Sequence, residues 1–142
     1  MTRLSKLFRS HALLSLAFAV LTSAHAETAV IVHAGNNTPM DEDAIAKIFL
    51  RQVKTFPDGS VAAPVNQREG ATSDDFRTKI LKKNTSQFKS YWAQQLFTGG
   101  AKPVQELDSD DAVLKFVAET PNAIGYIDAS KVKGGVKVVA KK

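Results

Sequence analysis

The stretch APVNQREGATSDDF, Ala63 to Phe76, joins an extended apolar run to a helix start through a turn of small residues, Gly70 to Ser73. A strand, a glycine break and a helix N-terminus in that order form one β–turn–α unit. Such a unit is also an anion cradle in outline. Small residues let backbone N–H groups approach a ligand, and the helix start adds partial positive charge. Arg68 stands just before the turn, where a guanidinium could grip an oxyanion bidentately, and Thr72 and Ser73 bring hydroxyls. The competing reading is a plain helix cap, with Thr72 and Asp75 as a capping box and Arg68 in solvent. Asp74 and Asp75 weigh on that side, because carboxylates in the first turn already occupy its positive end.

Working outward, TAVIVHA (Thr28–Ala34) is β-branched and continuously apolar, which predicts a strand covered on both faces. After GNNTP, Thr38 is positioned to cap a helix starting at Pro39 and running through DEDAIAKIFL, with Ala44, Ile45, Ile48 and Phe49 on one face. FPDGS (Phe56–Ser60) reads as a turn and VAAPV (Val61–Val65) as a short strand. Beyond the central unit, TSDDFRTKILKK predicts a helix with Phe76, Ile80 and Leu81 inward. SQFKSYWAQQLF predicts another, presenting Phe88, Tyr91, Trp92, Leu96 and Phe97. Trp92 and Phe97 are expected to pack on the sheet beside Ile124 and Tyr126. DSDDAVLKFVAE is a fourth helix capped by Asp108 or Ser109, and AIGYI (Ala123–Ile127) and GVKVVA (Gly135–Ala140) are closing strands. Strands alternating with helices predict an α/β domain, three-layer-like, with a mixed sheet flanked by helices.

The first 26 residues read separately. Arg3, Lys6 and Arg9 precede the apolar run ALLSLAFAVL (Ala12–Leu21), and AHA (Ala24–Ala26) supplies small residues at a cleavage site. This is the order of a secretory signal, with an apolar run too short for a lasting membrane span. The remaining domain, residues 27–142, carries 16 basic against 14 acidic residues, a formal +2, because three of the chain's 19 Lys and Arg lie in the signal. Lys79, Lys82 and Lys83 cluster on a helix face and Lys141–Lys142 form an ordinary tail, so no basic footprint points to nucleic acid.

Much chemistry is excluded by residue inventory. The chain has no cysteine, and His33 is the only histidine after Ala26. Cysteine nucleophiles and multi-histidine or cysteine–histidine metal centres are therefore absent. His33, in an apolar run, reads as structural. The acidic pairs Asp74–Asp75 and Asp110–Asp111 begin helices, where neighbours point about 100° apart and complement the dipole rather than form an acid–base couple. No phosphate-loop or dinucleotide fingerprint is present, and no cofactor is implied. A Ser–His–Asp triad would have to use His33, and the inventory points away from a catalytic role.

AIAKIFLRQVKTFPDGSVAAPVNQREGATSDDF, YWAQQLFTGG and TPNAIGYI together resemble the phosphate-type periplasmic substrate-binding proteins of ABC transporters, in particular their short single-lobe members. The similarity runs from Val30 to about Val139. It implies one lobe of a type II periplasmic binding protein; complete members close two lobes on a ligand and are more than twice as long. In the family an arginine and a Ser-Gly-Thr turn hold phosphate. Aligned on Phe76, the arginine falls on Asn66, with Arg68 as a substitute, and the turn falls on Gly70, Ala71 and Thr72, where only the threonine matches. The implied ligand-binding set is Asn66, Arg68, Gly70, Ala71, Thr72 and Ser73, with neither catalytic residues nor metal. The implied function is non-catalytic periplasmic binding of phosphate or a similar small oxyanion, linked to ABC-type transport. A second chain could supply the missing lobe. The alternative is an interaction module that has lost the ligand and serves a membrane transporter or sensor protein.

Export is the first testable consequence. Protein recovered from the cell envelope should have an intact mass beginning at Glu27, whereas an uncleaved cytosolic chain would overturn the reading of residues 1–26.

Overall fold

The first strand, β1 (Thr28–His33), shows how the whole domain is layered. Successive side chains on a strand leave by opposite faces. Val30 and Val32 accordingly enter one hydrophobic cluster, while Ala29 and Ile31 enter another on the far side. All four are fully buried, as a strand covered on both faces requires. The computed structural model describes residues 27–142, and the secretory signal read at residues 1–26 lies outside them.

From β1 the chain runs through α1 (Glu42–Phe49), β2 (Ala63–Gln67), α2 (Ala71–Lys79), α3 (Thr85–Phe97), β3 (Gln105–Leu107), α4 (Asp110–Glu119), β4 (Ala123–Asp128) and β5 (Val136–Lys141). The five strands lie in the order β3-β2-β4-β1-β5. β2 is parallel to β3 and β4, and β1 is antiparallel to β4 and β5, so the sheet is mixed. Ile45, Ile48 and Phe49 of α1, Phe76 of α2 and Ile80 just after it cover one face, with Phe88 and Tyr91 of α3 packed against them. Val113 and Val117 of α4 cover the other. The expected three-layer α/β domain is the one observed.

β4 is held from both sides. Tyr126 stacks on Phe76 with ring centroids 3.9 Å apart and 8° between planes, and Phe49 meets Phe76 edge-on at 4.8 Å. On the opposite face α4 sits so close that a Cβ at Gly125 would lie 2.6 Å from Val113 Cγ1 and 3.1 Å from Val65 Cγ2. The glycine of AIGYI is thus required by helix–sheet contact.

Several local expectations need correction. α1 begins at Glu42, with Asp41 as its cap accepting the Ala44 N–H at 2.7 Å; Thr38 instead donates its hydroxyl to Asp58 in the following turn. α2 stops at Lys79, and Lys82 at φ 55° turns the chain away, although Ile80 and Leu81 remain buried. β2 is shifted two residues later than VAAPV, and β3 was not foreseen. The tryptophan is buried but sits among α3's own Phe88 and Tyr91, at 6.3 and 5.1 Å, while Phe97 is 96% exposed and Leu96 65%. Nine residues separate Phe88 from Phe97, which at about 100° per residue places them on opposite sides of the helix.

This packing predicts unequal costs in two aromatic truncations on one helix. Trp92→Ala should lose about 3–5 kcal/mol in urea denaturation. Phe97→Ser should stay within about 0.5 kcal/mol of wild type, as surface changes do. Comparable losses for the two would show that α3 is packed differently.

Candidate functional site

β2 ends at Gln67 between its two parallel neighbours, and three residues later α2 begins. Ligands of open α/β sheets bind outside such carboxyl ends of strands. Gly70 is the N-cap of α2, and no side chain caps the first turn. The Gly70 N–H donates to Ser73 Oγ at 3.0 Å, closing one half of a capping box. The Thr72–Asp75 box weighed from the sequence does not form; Asp75 instead accepts the Thr28 hydroxyl at 2.6 Å and pairs with Lys79 at 2.9 Å, tying α2 to β1.

Ser73 is 1% exposed and its hydroxyl is fully engaged. It accepts from Gly70 and from Arg77 Nη2 at 3.1 Å, and its one proton has the carbonyls of Arg68 and Gly70 in reach. Ser73 therefore shapes the turn from within and presents no hydroxyl to a ligand. Gly70 and Ala71 are exposed and Thr72 is half-buried, so these three form the open part of the predicted set. Arg68 is exposed, and its Nη2 lies 3.0 Å from Asp108 on the loop before α4. Asn66 faces elsewhere: its Oδ1 accepts the Tyr126 hydroxyl at 3.1 Å. The structure thus brings Gly70, Ala71 and Thr72 together at the helix start, keeps Arg68 on the rim, and separates Asn66 and Ser73 from them.

Two polar groups of this region escaped the sequence reading. Arg77 is 5% exposed, its guanidinium beside Ser73 Oγ, 3.6 Å from Asp74 and beneath the Phe88 ring at 4.9 Å. Its spacing of four from Ser73 was the available signal, since such residues are neighbours on a helix. Asp110, assigned only to dipole complementation, is buried; it accepts from the Gln67 amide and the Asp128 N–H and pairs with Lys131 at 3.1 Å. His33 Nδ1 accepts the Gly35 N–H at 3.0 Å, a structural role as read. Among the described residues no His, Asp or Glu grouping suits a metal ion, and no helix is long and apolar enough to cross a membrane.

Tyr126 links core to site. Its hydroxyl accepts the Gln67 N–H at 3.1 Å while donating to Asn66. Burial pushes its pKa up to about 12, from 10. A raised folded-state pKa means that this stability is fully present below pH 10 and is lost as pH rises towards 12, because only the unfolded chain then releases the proton. Two pKa steps correspond to about 2.7 kcal/mol. The stability of wild type measured against Tyr126→Phe should therefore fall by about 2–3 kcal/mol between pH 9 and pH 12; a constant difference would show that the phenol is solvated.

No family model and no curated protein sequence matches the chain. Solved structures do match. One, assigned as a phosphate ABC transporter substrate-binding protein with bound phosphate from Clostridium perfringens, superposes with a TM-score of 0.61 at 20% identity, over 80% of this chain and 45% of that one. An ABC-type phosphate transport receptor from Vibrio cholerae gives 0.61 at 16%, over 80% and 46%. PstS from Borrelia burgdorferi gives 0.58 at 14%, over 81% and 47%. The chain spans less than half the length of each. Identities of this order establish likeness of architecture: the chain has the fold of somewhat under one half of a phosphate ABC transporter substrate-binding protein.

Proposed function

We propose that this chain is a non-catalytic, solute-binding-like lobe that acts in the periplasm beside an ABC-type phosphate transporter, offering the β2–α2 turn to phosphate or a similar small oxyanion. The observation that carries this reading is the uncapped start of α2. Gly70 has no side chain to place over the first turn and Ser73 is buried, so among the described residues no side chain caps the N–H groups of Ala71 and Thr72 at the positive end of the helix. The bound phosphate and transport assignments of structurally similar proteins support the same choice of ligand.

Affinity should be poor in the isolated chain. A single lobe leaves water competing for every donor, and Arg68 must first leave Asp108. Millimolar binding corresponds to about 4 kcal/mol and micromolar to about 8; loss of half the contacts favours the millimolar end. A second chain that closed over the turn would tighten binding and make it depend on protein concentration.

Amide NMR during phosphate addition tests the reading. Ala71, Thr72 and Ser73 should shift most. Arg68→Ala should weaken binding more than Lys79→Ala, because a bidentate charged contact is stronger than a screened attraction. Asp108→Asn should tighten it by freeing Arg68. Unmoved turn amides at saturating phosphate would reduce the turn to a helix start. The second reading, an interaction module for a membrane transporter or sensor, would then lead, favoured by the exposed Leu96 and Phe97 at the end of α3.

A further inference from the structure

Arg77 and Asp110 are the two charged side chains buried among the described residues, and they are compensated very differently. Asp110 has Lys131 at 3.1 Å, the Gln67 amide and the Asp128 N–H. Arg77 has one hydroxyl, Ser73 Oγ, and a carboxylate 3.6 Å away on Asp74, whose side chain is 61% exposed. A buried charge is costly unless well paired and hydrogen-bonded. Both of these polar contacts run through Nη2, and Phe88 covers one face of the guanidinium. Arg77 also lines a cavity of about 70 Å³ at the end of β2, together with Asn66, Gln67, Glu69, Phe88, Lys89, Glu106 and Tyr126. No residue from Gly70 to Ser73 lines it.

We propose that this cavity is a second binding site, distinct from the β2–α2 turn, for a small oxyanion gripped by the Arg77 fork. Size sets one limit. A water molecule needs about 10–15 Å³ by this measure, so about 70 Å³ accommodates a carboxylate or phosphate group and excludes a sugar or nucleotide. Charge sets the other. Arg77 and Lys89 face Glu69 and Glu106, two cations against two carboxylates. Lys89 and Glu69 neutralise each other at the surface, 3.5 Å apart. What remains is Arg77, buried where its field is strong, against two exposed carboxylates that water screens, Asp74 at 3.6 Å outside the lining and Glu106 on β3. The floor is positive and the rim is weakly repulsive, an arrangement that selects a small, singly charged anion. Asn66 belongs to this site, and its amide nitrogen supplies a neutral donor while its oxygen is held by Tyr126.

The test is a chemical-shift titration of the purified protein with sodium phosphate and, separately, sodium acetate. The Arg77 Nε–H and the Asn66 side-chain amide report on the cavity, and the Ala71 and Thr72 backbone amides report on the turn. The Arg77 and Asn66 signals should move together to saturation with at least one of the two ions. Arg77→Lys keeps the charge but loses the fork and should weaken binding about tenfold. Glu106→Gln, on the exposed edge strand, should tighten it about two- to fivefold by removing the repulsion. If Arg77→Lys fails to fold, Glu106→Gln decides alone. Shifts confined to Ala71 and Thr72 would overturn the cavity and leave the turn reading standing; shifts confined to Arg77 and Asn66 would support the cavity and sink the turn. Signals unmoved by both ions, or weaker binding in Glu106→Gln, would overturn the proposal.

Discussion

The stack of Tyr126 on Phe76 joins the central strand to the helix that opens the candidate site. It places α2 against the sheet on one side while Val113 and Val117 of α4 hold Gly125 on the other. Because interiors are close-packed, β4 has little freedom to shift between these layers. The same tyrosine carries the constraint outward. Its hydroxyl fixes the backbone of Gln67 and the side chain of Asn66, so the end of β2 and the start of the turn are registered to the core. Large aromatic burial and a satisfied phenol act here through one residue.

Around that anchor the polar groups divide by how completely they are satisfied. Gln67 donates to the Tyr126 carbonyl and to Asp110, and Asp110 is further held by Lys131; this network closes on itself and reads as structural. Ser73 likewise uses all of its bonding capacity to shape the turn. The α2 amides and Arg77 differ, since among the described residues no side chain caps the former and Arg77 has only the Ser73 hydroxyl and the exposed Asp74, against the three partners of Asp110. Such donors near one strand end are the physical basis of both proposed sites.

The share of the similar proteins covered, under half, bears on both proposed sites. A binding surface open on one side loses both enclosure and the low dielectric that strengthens hydrogen bonds. The Arg68–Asp108 pair across the open turn is consistent with a surface at rest, where an exposed guanidinium takes an available carboxylate at little net gain. The exposed end of α3 offers apolar contact area of the kind an additional wall would use.

What the sequence determined by itself follows from strong local signals. The continuous apolar run at β1, the periodic faces of α1 and α4, and the glycine break at Gly70 inside the central unit each state their structure within a few residues. The α/β class and the position of the turn follow from them. The tertiary structure alone decided what depends on distant partners. β3, with the sequence Gln-Glu-Leu, becomes a strand only because β2 offers its edge. Phe97 looks like a core residue in sequence and lies in water because its helix turns that side outward. Arg77 drew no reading from the sequence, yet Phe88 from the next helix covers it and Ser73 draws it inward. Asp110 becomes a buried hub because Gln67 and Lys131 arrive from 43 and 21 positions away. Local periodicity fixes which face of an element is apolar, but only packing fixes what that face meets, and the charge balance of the site depends on the second.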